Sequence, residues 1–141
     1  MFTFGEMELN LTVLIEGFYD NFSGLMVKDT VTVLLKNINS PYATADSGRV
    51  SLDSLGQGIM KLKNTIRNGT YYIVIRHRNS IETWSTSGGL LFDKSNNTYD
   101  FTTSSSKAYG DNMILKGTKW CIYGGDINQD GFVDGADMAP L

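Results

Sequence analysis

The chain has 141 residues, a length that suits one ordinary domain or one domain with a short appendage. Apolar residues make up 41% and charged residues 19%, a balance that supports a packed core and excludes global disorder. The net charge is −3 and the basic residues are scattered apart from Arg76, His77 and Arg78, which excludes a nucleic-acid binder with a basic face; no apolar run approaches the roughly 20 residues of a membrane span.

Residues 1–7 (MFTFGEM) lack the basic start and apolar core of a secretory signal, so export is not visible in the sequence itself. Segment 8–18 alternates, with Leu9, Leu11, Val13, Ile15 and Gly17 on one side and Asn10, Thr12, Leu14, Glu16 and Phe18 on the other, and predicts a long strand with one buried face. Turn residues at 20–24 (DNFSG) lead to a second predicted strand at 30–36 (TVTVLLK), placed to pair with the first. After the break at Ser40-Pro41, weak alternation at 49–55, a turn at 56–58 and a short strand at 59–62 (IMKL) follow. Asn68-Gly69 introduces segment 70–77 (TYYIVIRH), the strongest strand by β-propensity. Short strands are predicted at 90–92 and 98–102, and a final β segment at 112–123 folds around a Gly117-Thr118 turn. About seven strands without helical periodicity predict an all-β sandwich.

Segment 68–77 (NGTYYIVIRH) is similar to the G-T-Y-x-V-x-V strand of transthyretin-like (prealbumin-like) and related immunoglobulin-like modules of bacterial surface proteins. The resemblance implies a sandwich of the prealbumin-like or Ig-like type.

Residues 125–137 read GDINQDGFVDGAD. With Asp126 first, Asn128, Asp130, Gly131, Phe132, Asp134 and Asp137 fall at the third, fifth, sixth, seventh, ninth and twelfth positions of an EF-hand-type calcium loop. Calcium takes six to eight oxygens at about 2.3–2.6 Å, and a chain winding around the ion turns alternate side chains inward. Asp126, Asn128 and Asp130 each supply an oxygen, Gly131 permits the sharp turn, Phe132 offers its carbonyl, Asp134 binds directly or through water, and Asp137 closes the shell. An aspartate replaces the usual glutamate at the last position, a pattern that resembles the loop of dockerin modules. The resemblance covers one loop of the two a dockerin carries, so the predicted organisation is a β-sandwich at 1–123 followed by a partial dockerin-like calcium-binding segment at 124–141.

Other candidate groups are weaker. His77 is the only histidine and stands between two arginines, which predicts a structural or surface role and no hydrolase activity. Glu16, Asp46, Asp53, Glu82, Asp93 and Asp100 lie on separate segments and define no glycosidase pair. Cys121, between Trp120 and Ile122, predicts a buried, inert thiol. Trp84 with Tyr71, Tyr72, Tyr99 and Tyr109 offers a possible aromatic platform for sugar rings, against the plainer expectation that Trp84 fills the core. Four Asn-x-Ser/Thr sites, at Asn10, Asn21, Asn68 and Asn96, do not exceed what this serine- and threonine-rich composition supplies by chance.

Together these features predict a non-catalytic, secreted or cell-surface adhesion, scaffold or structural module that binds Ca2+ at its C-terminal end. Its expected partner is a protein, or a second copy meeting it through β edges or the C-terminal segment, with no nucleic acid and no membrane insertion. The alternatives are a carbohydrate-binding module of a polysaccharide-degrading system and a protomer of a surface filament or virion.

Overall fold

In a computed structural model of the protein, the described residues are 7–63, 65, 68–78 and 80–124. The first strand, β1 (Glu8–Thr12), precedes a single 3-10 turn at Glu16–Phe18 and a short hairpin of β2 (Tyr19–Asp20) and β3 (Leu25–Met26). Two nine-residue strands, β4 (Asp29–Asn37) and β5 (Thr44–Leu52), form the longest hairpin, and β6 (Gln57–Lys61) follows. The β-branched and aromatic run becomes β7 (Gly69–Arg76), flanked later by β8 (Thr83–Trp84) and β9 (Leu90–Phe92). Strand β10 (Asn96–Asp100), 3-10 turns at Ser105–Lys107 and Tyr109–Asp111, and the hairpin β11 (Met113–Lys116) and β12 (Lys119–Ile122) complete the described chain.

Two sheets build the sandwich. One has the order β10-β1-β6, with β1 parallel to β10 and antiparallel to β6. The other has the order β5-β4-β7-β8, with β9 also paired to β7. Leu9, Leu11, Met60 and Tyr99 from the first sheet and Val31, Val33, Leu35, Val50, Ile73, Ile75 and Phe92 from the second share one buried cluster. The all-β sandwich expected from the strand spacing is therefore the observed architecture. Gly58 allows the two layers to meet at one side: a Cβ there would stand 2.5 Å from Val50 Cγ1 and 2.6 Å from the Ser51 carbonyl oxygen.

Two expectations about pairing are corrected. Segment 8–18 is not one strand. Its alternation holds in burial, with Leu9, Leu11, Val13 and Ile15 all at most 1% exposed. Its hydrogen-bond partners change, however: β1 ends at Thr12, the Val13 amide donates to the Gly56 carbonyl, and Ile15 bridges Ile122 before the 3-10 turn begins. Period-two patterning reports which side is buried and is silent about which strand lies alongside. Nor does β1 pair with β4, as the sequence order had suggested. A strand with strong alternation on both its neighbours' registers finds them by packing, and β4 pairs instead with β5 and β7.

Candidate ligand-binding site

Alternation along β7 decides the site. Ile73 and Ile75 enter the shared core with Tyr71, while Tyr72, Val74 and Arg76 belong to the opposite, outer face of the sheet. In register on that face, Lys36 of β4 lies beside Tyr72, and Trp84 of β8 lies beside Val74. Val74 is nevertheless fully buried, so the outer face is itself covered by side chains.

Four rings from four separate segments meet there. Tyr72 is central and makes edge-to-face contacts with Tyr42 (6.3 Å between centroids), Trp84 (5.5 Å) and Tyr109 (6.2 Å). Tyr42 also meets Trp84 at 6.1 Å and 89°. No ring pair joins Tyr109 to Tyr42 or Trp84 among the described residues, which leaves a slot floored by Tyr72 with Tyr109 on one side and the Tyr42–Trp84 pair on the other. The four rings line a cavity of about 420 Å³, and Tyr42 and Tyr109 remain 43% and 55% exposed. Large rings left this open at the mouth of a concavity fit a ligand with an apolar face.

The surrounding loops hold the rings in place. Tyr42 lies in the β4–β5 connection with φ +58, the left-handed region that a bulky residue enters only at a cost. Its amide donates to the Asn39 carbonyl at 2.8 Å, which fixes that turn. Tyr109 is carried by the 3-10 segment after Ala108, which bridges Ser85 just beyond β8. The Tyr99 hydroxyl secures the same segment, donating to the Lys107 carbonyl and accepting from the Thr86 amide. Burial pushes the Tyr99 phenol above its ordinary value, with the Thr86 bond opposing.

Polar groups gather beside Trp84 at the edge of the cup, outside its four-ring lining. Trp84 Nε1 donates to Glu82 Oε2 at 2.9 Å, and Arg76 Nε donates to Glu82 Oε1. Burial pushes the Glu82 carboxyl up, but the bonds from Trp84 and Arg76 and the charges of Arg76 and Lys36 more than offset it, so the group titrates below its ordinary value. Lys36 Nζ stands 5.9 Å from the Trp84 ring centre and donates to Thr44 Oγ1 at 3.1 Å.

Of the aromatic residues singled out in sequence, the structure brings together Trp84, Tyr72 and Tyr109. Tyr71 and Tyr99 are instead core residues, 4% and 5% exposed, packed against Phe92 and Phe101. Tyr42 was missed. A tyrosine directly after Ser-Pro in a hairpin loop was the available signal, because an exposed ring in a turn contributes little to a core. The expectation that Trp84 fills the core is corrected: it is half-buried on the outer face.

A second constellation has the atoms of a hydrolase triad. His77 Nε2 lies 2.8 Å from Asp29 Oδ2, and Nδ1 lies 3.0 Å from Ser80 Oγ. The ionised carboxylate only accepts, so Nε2–H donates to Asp29 and Nδ1 accepts from the Ser80 hydroxyl. The hydrogen bond from His77 holds the Asp29 carboxyl below its ordinary value. Ser80 is fully buried and pairs with Gly124, so no substrate carbonyl can reach its Oγ. His77, itself buried with the Phe18 ring edge-on at 5.2 Å, ties the start of β4 to the loop after β7.

The dispersed carboxylates are taken up by hydrogen bonds, Asp53 and Asp100 within their own turns and Asp46 and Glu16 to distant segments. Asp46 accepts from the Ser47 and Lys63 amides and Thr65 Oγ1, Asp53 from the Leu55 and Gln57 amides, Asp100 from Thr102, and Glu16 from the Gly124 amide. Among the described residues no three histidine, cysteine or acidic side chains are grouped to hold a metal. The calcium-loop residues Asp126, Asn128, Asp130, Phe132, Asp134 and Asp137 lie outside the described residues. A larger groove of about 550 Å³ crosses the outer side of β1 and β6, lined by Asn10, Thr12, Asp53, Gln57 and Ile59 among others. Without an aromatic ring it offers hydrogen bonds but no stacking surface. No described helix is long and apolar enough to cross a membrane.

No family model matches the chain, and no curated protein does. Among solved structures, one chain of a mutant type II cohesin-X-dockerin complex from Acetivibrio cellulolyticus is similar at a TM-score of 0.49 and 13% identity, over 95% of this chain and 70% of that one.

Proposed function

We propose that this protein is a secreted, non-catalytic carbohydrate-binding β-sandwich, with the cup of Tyr42, Tyr72, Trp84 and Tyr109 as its binding site and a calcium loop at its C-terminal end. The observation that carries the reading is Tyr42, a bulky residue held in left-handed backbone where its ring walls an open concavity instead of filling a core. A pure scaffold or adhesion role through β edges leaves that strained placement without a task. Pyranose rings expose an apolar C–H face and a polar rim, which matches rings bordered by Glu82, Arg76, Lys36 and Thr44.

The loop supplies the second half of the proposal. Asp126, Asn128, Asp130, Asp134 and Asp137, with the Phe132 carbonyl, hold one calcium ion, in keeping with an extracellular setting where calcium is millimolar.

Affinity electrophoresis through gels containing soluble plant and microbial polysaccharides tests the binding reading. At least one polysaccharide is expected to retard the protein, and Trp84→Ala is expected to migrate freely in it. Unretarded migration in every polysaccharide would overturn the proposal.

A further inference from the structure

We infer that the cup selects a carboxylate-bearing pyranose, a uronic or sialic acid residue, through the Lys36 ammonium at its rim; this rests on the carbohydrate reading above. Lys36 stands in register beside Tyr72, the floor of the slot, and within cation–π distance of Trp84. An ammonium has three N–H donors, and Thr44 Oγ1 takes one. Among the described residues no carboxylate forms an ion pair with Lys36.

Among the described residues, the one carboxylate hydrogen-bonded to the ring cluster is already engaged. Glu82 accepts from Trp84 Nε1 through one oxygen and from Arg76 through the other. Lys36 and Arg76 outnumber Glu82, so the rim is complementary to a ligand anion and repels a quaternary ammonium, the other guest that perpendicular rings accept. A neutral sugar would stack on the rings and offer the ammonium only neutral hydroxyls. A sugar carrying a carboxylate uses both, with its C–H face on Tyr109 or the Tyr42–Trp84 pair and its carboxylate against Nζ. Such a bond to a charged group is stronger than a neutral one, and is worth about tenfold or more in affinity.

Calorimetry with matched ligands tests this. The probes are oligogalacturonate, its methyl ester, N-acetylneuraminic acid, a cello-oligosaccharide and choline. The first two share a shape and differ in charge, and the third separates a sialoglycan source from a uronate source. The acid form of one source is expected to bind about tenfold or more tightly than the neutral ligands, with an affinity that falls as salt rises. Lys36→Gln is expected to weaken the acid form about tenfold or more relative to its methyl ester, which removes that preference, and Lys36→Arg to restore it. Thermal melts of both variants report any loss of folding. Equal binding of acid and ester, stronger binding of choline, or equal weakening of acid and ester by Lys36→Gln would overturn the inference alone. Failure of every sugar to bind would overturn the carbohydrate reading together with it.

Discussion

Replacing Tyr42 by alanine and by glycine separates two opposing contributions at one position. Both variants remove the ring and its edge-to-face contacts with Tyr72 and Trp84. Each such pair contributes about 0.5–1.5 kcal/mol, and the lower end applies to a ring that is 43% exposed. Alanine keeps a Cβ at φ +58, where a left-handed residue costs about 1–2 kcal/mol. Glycine removes that cost but loses about 0.5–1 kcal/mol more backbone freedom on folding. The glycine variant should therefore be more stable than the alanine variant by about 0.75 kcal/mol, the middle of a span of about 0–1.5 kcal/mol, or roughly 2–5 °C in Tm for a domain of this size. The native protein should exceed the alanine variant by about 1 kcal/mol, two ring pairs at that lower end. Thermal unfolding followed by circular dichroism measures all three, and both variants should lose sugar binding. An alanine variant that melts at or above the glycine variant would refute the claim that Tyr42 is held under strain.

Asp29 is held below its ordinary carboxyl value in the folded state, so its contribution to stability is present at neutral pH and disappears as pH falls from about 4 through that lowered value. Asp29→Asn should therefore destabilise the protein at pH 6 and converge with the native protein as pH falls below that lowered value in denaturant titrations; a constant gap would be wrong for this account. Burial pushes the Cys121 thiol up to about 11, and the native protein should resist a thiol-specific disulfide reagent at pH 8 until denaturant is added. Calcium should bind the loop with a dissociation constant on the order of 10⁻⁴ to 10⁻³ M, and the double variant Asp126→Ala, Asp130→Ala should give no heat in isothermal titration. Equal heats from both proteins would reduce that loop to a turn.

The strands were most legible where apolar runs meet glycine turns: β7 after Asn68-Gly69, β9 after Gly88-Gly89, and the β11–β12 hairpin around Gly117, whose φ is +68. Partners were not legible, because Leu9 and Leu11 look the same to any apolar neighbour, and the parallel contact of β1 with β10 joins residues 88 positions apart, as in Glu8 with Asn96. The site was half legible. Period-two alternation along β7 alone separates Tyr72 from its core neighbour Tyr71, yet nothing local in sequence ties Tyr42 to Trp84 or Tyr109. Asp29 likewise reaches His77 across 48 positions, which hid the Asp–His–Ser chain.

The central claim is that a sugar stacks in the aromatic cup, and Trp84 is placed to report it. Only Trp84 and Trp120 contribute indole emission, and Trp120 packs against the core cluster. A Trp120→Phe variant therefore isolates Trp84, and its fluorescence can be titrated with whichever oligosaccharide the polysaccharide screen identifies. Saturable change in Trp84 emission, with a midpoint that matches the calorimetric affinity, is the expected result. Unchanged emission while calorimetry records full binding would place the ligand elsewhere on the molecule and contradict the account.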